Sequence, residues 1–248
     1  MSLEKEFKDY ATKHLNINGS TVDGVISHQV ESSMTPYILE ERQMNVTQLD
    51  VFSRLMKDRI LFLSGVVNDR MSSVVNAQLL FLDSMEKKDI SVYLSSPGGS
   101  VLSGLSMVDV MNYIPSDVAT INLGLAASMG SILLGAGAKG KRSCLKYSKV
   151  MIHQVSSGSS GHVADNRINQ MESEKYNYLL FKILAKNCNK SFDEMLELAR
   201  RDRWFNSSEA LELGIVDEII GVNKPEDSIT TLLDGFDEYY NKEVLGRK

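Results

Sequence analysis

Cysteine is scarce: only Cys144 and Cys188 occur in 248 residues, far apart in the chain. Two such cysteines form neither a disulfide framework nor a zinc pattern, and they suit a reducing compartment. Basic residues are in slight deficit, 27 Lys and Arg against 32 Asp and Glu, for a net charge of −5. This balance disfavours nucleic acid and anionic membrane surfaces, both of which reward clustered Lys and Arg. No Gly-x-x-x-x-Gly-Lys-Ser/Thr occurs, so the chain has no phosphate loop of its own. No Gly-x-Ser-x-Gly occurs either, which excludes the α/β-hydrolase elbow. No fixed repeat period is visible, which excludes solenoids and propellers. The charge-free run Val118–Ala138 approaches the length a bilayer needs, but Thr120, Asn122, Ser128, Ser131 and several glycines interrupt it. The opening Met1-Ser2-Leu3-Glu4-Lys5-Glu6 mixes both charges, and no apolar stretch follows. A signal peptide is therefore not expected, nor an acid-poor, Arg-rich transit segment.

Ordinary globular composition is present, 43% apolar and 24% charged, in a chain long enough to bury one large core. Residues 1–33 are polar and read as an N-terminal extension or propeptide. The compact part is expected over 34–221, followed by a charged tail at 222–248. Leu49–Met56 has helical spacing, Ile60–Leu63 reads as a strand and Met71–Met85 as a helix with a broad apolar face. Ile90–Leu94 alternates as a strand, Val101–Tyr113 is helical, and Val118–Leu123 is a short, buried, β-branched strand. Gly124–Ser131 then reads as a turn that opens an apolar helix over Ile132–Ala136. Strand and helix alternate, so the expected class is α/β, built from βα units with right-handed crossovers. Strands at 142–145, 150–153 and 203–205, helices at 163–188, 192–198 and 207–213, and a closing segment at 214–220 complete the pattern.

Ser128 stands at the strand-to-helix turn among residues too small to shield it. Backbone N–H groups at the following helix N-terminus are suited to stabilising an anion. A serine needs a base, and histidine is the usual one. Of the four histidines, His14 and His28 lie in the polar extension and His162 in a Ser/Gly-rich stretch. His153 ends a buried strand, Val150-Met151-Ile152-His153, where a side chain is held firmly, and is the best base by elimination. A carboxylate would orient its ring. Asp202 is a candidate, but residue type and position do not separate it from Asp193, Glu197 or Asp217. Met129 N–H, just after Ser128, is one oxyanion donor, and the Pro97-Gly98-Gly99 turn offers another.

A set of ordered motifs carries a family resemblance. They are Phe52-Ser53-Arg54-Leu55-Met56-Lys57-Asp58-Arg59-Ile60, Ser96-Pro97-Gly98-Gly99-Ser100, Gly124-Leu125-Ala126-Ala127-Ser128-Met129-Gly130 and Gly137-Ala138-Lys139-Gly140-Lys141-Arg142. Val150-Met151-Ile152-His153-Gln154, Arg201-Asp202-Arg203-Trp204-Phe205, Glu209-Ala210 and Gly214-Ile215-Val216-Asp217 follow in order. Together they resemble the proteolytic-subunit family of the Clp protease (ClpP). The resemblance implies a ClpP/crotonase-like α/β fold of repeated ββα units with a protruding handle helix and strand. It implies a serine endopeptidase with Ser128 as nucleophile, His153 as general base, Asp202 as orienting acid, and Gly99 and Met129 as oxyanion donors. No cofactor and no metal are implied. ATP would be used by a partner AAA+ unfoldase such as ClpX, ClpA or ClpC, which delivers unfolded polypeptide. The implied assembly is a homo-oligomer of two stacked heptameric rings in the bacterial cytoplasm, with no nucleic acid and no membrane partner. The helix from Val163 would be the handle, and residues 154–162 the strand beside it, where substrate adds by main-chain pairing. A crotonase-type acyl-CoA enzyme would share the fold but would not need Ser128, His153 and Asp202 together. Two departures stand out: Arg200 occupies a position where the family usually has an acid, and the extension before Met34 is longer than the usual propeptide. Self-cleavage of part of that extension is expected.

Overall fold

A computed structural model describes residues 37–42, 45–158, 160–222 and 228–244. The expected extension at 1–33 lies outside the described residues. The chain divides into two compact units, Met1–Asp58 and Arg59–Lys248.

In the first unit, β1 (Tyr37–Arg42) and β2 (Asn45–Asp50) pair antiparallel, from Tyr37↔Asp50 to Arg42↔Asn45. Helix α1 (Val51–Lys57) follows directly, and the Asp50 side chain caps it by accepting from Ser53 N–H at 3.1 Å. A bond from the Ser53 hydroxyl, and after it this backbone bond, lower the Asp50 pKa. Sequence patterning found the helix and missed the strand pair. Its strands alternate too weakly, as in Thr47-Gln48-Leu49-Asp50, to announce a buried face.

The second unit starts with β3 (Ile60–Ser64), α2 (Asp69–Met85), β4 (Ile90–Ser96), α3 (Val101–Tyr113), β5 (Val118–Ala127) and α4 (Met129–Gly135). β3, β4 and β5 are parallel neighbours, the arrangement that βα crossovers produce. Along β4, Ile90, Val92 and Leu94 are buried while the residues between are half-buried, the period-2 pattern the sequence predicts. β6 (Arg142–Leu145) and β7 (Lys149–Ile152) come in succession before the 26-residue α5 (Val163–Cys188). Then follow α6 (Phe192–Leu198), β8 (Arg203–Phe205), α7 (Ser207–Leu213) and β9 (Glu218–Ile220). Reciprocal capping boxes start α6 at Ser191 and α7 at Asn206. The described part of the tail forms α8 (Ile229–Leu232), α9 (Phe236–Tyr239) and a π-helical turn, Tyr240–Val244.

The sheet runs β3-β4-β5-β6-β9, and β7 pairs with both β5 and β8. Among the described residues of this sheet, the β7–β8 ladder is the antiparallel one and the other ladders are parallel. β5 is longer than its sequence suggests, running through Ala127 where a turn from Gly124 is expected. The reason is a change of partner. β5 pairs with β6 up to Asn122↔Cys144, then with β7 from Leu125↔Lys149. Buried Asn122 bridges the gap: its amide donates to Lys149 C=O at 3.0 Å and its carbonyl accepts from Gly124 N–H at 3.0 Å. The two strands diverge at a satisfied polar joint.

A second polar joint forms at the start of β6. Arg142, 1% exposed, donates from Nε and Nη2 to the two Asp217 oxygens at 2.8 and 2.6 Å. Its remaining N–H groups reach the carbonyls of Asn187 at the end of α5 (2.9 Å) and Gly214 after α7 (2.9 Å). Burial by itself would raise the Asp217 carboxyl. The hydrogen bonds and charge of Arg142, with backbone N–H groups, outweigh it and hold the pKa down at about 2.

The handle helix extends as expected, but residues 154–158 and 160–162 form no strand. A strand is made by the ladder it joins, and no described segment forms one with these residues.

Candidate active site

Ser128 holds φ 53° and ψ −123°, a left-handed conformation that side chains rarely adopt. Bonds on both sides hold it there. Ser128 N–H donates to Met151 C=O on β7 at 2.9 Å, and Ser131 N–H and Oγ both donate to Ser128 C=O, at 2.9 and 2.6 Å. The Ser128 side chain sits at the N-cap position of α4 yet makes no capping bond. Its Oγ instead lies 2.8 Å from His153 Nε2. All seven residues of α4 are buried, so the helix that carries this turn is enclosed. Glycine is required beside it: a Cβ at Gly130 would come within 2.9 Å of Ser96 C=O, and one at Gly98 within 2.6 Å of Ser128 Cβ.

Register brings the next group. β7 and β8 pair antiparallel with Ile152↔Arg203 as the final pair. One step further along that ladder stand His153 and Asp202, and His153 Nδ1 lies 3.4 Å from Asp202 Oδ1. β5 pairs with β7 through Ala127↔Met151, so the next step places Ser128 on the other side of the same strand end. The three side chains therefore sit at adjoining ends of β5, β7 and β8. Sequence reasoning could not choose among four carboxylates, and here they separate. Asp217 is committed to Arg142, and Glu197 accepts from Arg200 Nε at 2.7 Å on the exposed face of α6. Asp193 is in the first turn of α6. Arg200, just past the end of α6, is thus engaged by a residue of that helix. His162, expected in an irregular stretch, is the N-cap residue of α5 and is exposed.

The expected oxyanion donors flank the serine. Among the described residues neither Gly99 N–H nor Met129 N–H has a hydrogen-bond acceptor, whereas Gly98 N–H donates to Ser96 Oγ at 3.1 Å. Beside Ser128 opens a cavity of about 250 Å³, lined by Gly99, Met129, Ile132, His153, Asn177 and Phe181 among others. Its mostly apolar wall comes from α4 and α5. Asn177 of α5 accepts Val155 N–H at 3.0 Å and ties the chain after His153 to the long helix, a contact that sequence reasoning missed. Neither cysteine competes as a nucleophile. Burial pushes the Cys144 thiol up to about 12 and the Cys188 thiol up to about 11. Among the described residues no group of three or more His, Cys, Asp or Glu is placed to hold a metal, and no helix is long and apolar enough to cross a membrane.

Residues 42–223 match the Clp protease family. The chain belongs to the Clp protease family. It is 51% identical over 216 residues to the ATP-dependent Clp protease proteolytic subunit of Bacteroides fragilis (strain YCH46), covering 87% of this chain and 98% of that one. The subunit of the same name from Bacteroides thetaiotaomicron is also 51% identical over 216 residues, with the same coverage. That of Porphyromonas gingivalis is 47% identical over 220 residues, 88% of this chain and 99% of its own. The Clp protease match includes β5, β7 and β8, and so every side chain at the joined strand ends.

Proposed function

We propose that the chain is the proteolytic subunit of an ATP-dependent protease, a serine endopeptidase that cleaves unfolded polypeptide. The observation that carries this reading is the 2.8 Å approach of Ser128 Oγ to His153 Nε2, at a turn where the hydroxyl is free of capping duty. His153 Nε2 takes the Ser128 proton as Oγ attacks the scissile carbonyl. Asp202 accepts from Nδ1–H, which holds the ring in the tautomer with Nε2 open and stabilises the imidazolium. The oxyanion of the tetrahedral intermediate takes the N–H groups of Gly99 and Met129. Nε2–H then protonates the departing amine, and a water activated by the same nitrogen releases the acyl group from Ser128. Apart from that water, every step uses groups of the protein, so the chemistry asks for no cofactor or metal.

ATP enters through a separate AAA+ unfoldase of the ClpX, ClpA or ClpC kind, since the chain has no phosphate loop. Fourteen copies form two stacked heptameric rings in the bacterial cytoplasm. The apolar residues that α5 leaves exposed, Val163, Ile168, Met171 and Tyr178, support an assembled state, because a lone chain leaves them uncovered. Tyr93 stacks on Phe62 across β3 and β4, ring centroids 5.6 Å apart, an aromatic surface suited to unfoldase docking.

Fluorophosphonate labelling tests the chemistry: the wild type is modified and Ser128→Ala is not. Equal labelling of both would remove Ser128 as the nucleophile.

A further inference from the structure

Beyond the groups that meet the substrate, something must aim the Gly99 N–H. The two glycines of Pro97-Gly98-Gly99 allow many conformations, yet one is held. The β3–β4 ladder explains how. It pairs Ser64 with Ser95 and continues with Gly65 N–H donating to Ser95 C=O at 2.9 Å. The next bond of a parallel ladder would run from the N–H of residue 97 to Gly65 C=O. Residue 97 is proline and has no N–H. The Ser96 hydroxyl takes that place, donating from Oγ to Gly65 C=O at 2.6 Å, and the same oxygen accepts Gly98 N–H at 3.1 Å. Ser96 is 0% exposed, so no water substitutes for it.

The ladder then resumes one residue out of step. Val67 pairs with Gly99: Val67 N–H donates to Gly98 C=O and Ser100 N–H to Val67 C=O, both at 2.8 Å. Two steps along one side, from 65 to 67, thus span three along the other, from 96 to 99, which is a bulge. In a trans peptide the C=O and the following N–H point in opposite directions. With Gly98 C=O held by Val67, Gly99 N–H faces away from Val67. Neighbouring atoms leave the loop no slack. A Cβ at Gly99 would meet Val67 C=O at 2.3 Å, and one at Gly98 would meet the Ser128 turn.

We propose that Ser96 is a positioning residue for catalysis: its hydroxyl replaces the ladder bond that Pro97 cannot make and so fixes the bulge that presents Gly99 N–H to the oxyanion. The inference rests on the serine-protease reading above. Full-length Ser96→Ala, Ser96→Thr, Ser96→Ala/Pro97→Ala and Ser128→Ala are compared on a fluorogenic peptide and with a peptide aldehyde, whose hemiacetal oxygen occupies the oxyanion position. Ser96→Ala is expected to lower kcat about tenfold or more, short of the 10²–10³ seen when an oxyanion donor is lost outright. KM stays within about twofold, and the aldehyde weakens in proportion to kcat. Ser96→Thr keeps the hydroxyl and recovers most of the rate. The double variant restores an N–H at residue 97 and recovers part of it. A Ser96→Ala enzyme with wild-type kcat overturns the proposal, as does a loss confined to KM, unchanged aldehyde affinity, or a double variant no faster than Ser96→Ala. If Ser128→Ala retains activity, the underlying reading fails instead, and the two failures are distinct.

Discussion

Two aspartates on one sheet face basic partners in opposite ways. Asp217 meets Arg142 in a two-pronged pair, with the guanidinium 1% exposed and bonded as well to the carbonyls of Asn187 and Gly214. Asp202 meets His153 at 3.4 Å, longer than a tight hydrogen bond, with 66% of its side chain exposed. The first pair joins β6 to the ends of α5 and α7 and is saturated with donors. The second stands at a cavity edge with the far ring nitrogen against a serine hydroxyl. A saturated buried pair cannot trade protons without loss of the fold. An open pair can, which is what general-base chemistry requires.

Substitution at each pair should break this contrast in opposite directions. The largest effect is expected at Ser128: Ser128→Ala lowers kcat roughly 10⁴-fold while the melting temperature in calorimetry stays near wild type. A matching fall in stability would remove the distinction. Asp217→Ala reverses the pattern, since it strands a buried guanidinium. It should cost about 3–5 kcal/mol of stability, read from urea midpoints. Asp202→Asn comes next, lowering kcat about 10²- to 10⁴-fold with little change in the urea midpoint.

Acid provides a finer test. Asp217 has its folded pKa lowered from 3.8 to about 2, so its contribution is complete above the unfolded value and is lost as pH falls from about 4 through about 2. That contribution is about 2 kcal/mol and should vanish from the pH dependence of stability in Asp217→Asn. The smallest effect is expected at Arg200→Ala. Its partner Glu197 is exposed, so thermal stability of the chain should change by about 0.5 kcal/mol or less.

The two pairs also differ in how much of them could be read from the sequence. Ser128 was legible because a serine between a β-branched strand and an apolar helix is unusual, and His153 because the other histidines lie in polar stretches. Asp202 was not legible from spacing, since four carboxylates fit equally, and family motifs had to propose it. The Arg142–Asp217 joint left no local trace, because its members lie 75 residues apart. Gly124–Ala127 reads as turn in the sequence, since small residues lack strand propensity, yet pairing of Leu125–Ala127 with β7 carries β5 through the segment. Residues 154–162 are expected as strand, and among them the described 154–158 and 160–162 join no ladder, for the converse reason.

The sequence by itself determined the alternation of strands and helices, the buried faces and the isolation of one serine and one histidine, because periodicity and composition act locally. Composition and spacing left three matters open that tertiary structure decided: which carboxylate meets His153, where β5 ends, and how Ser96 stands in for the N–H that Pro97 lacks. Those choices depend on sheet register, and register is set by chain segments that are distant in sequence and adjacent only after folding.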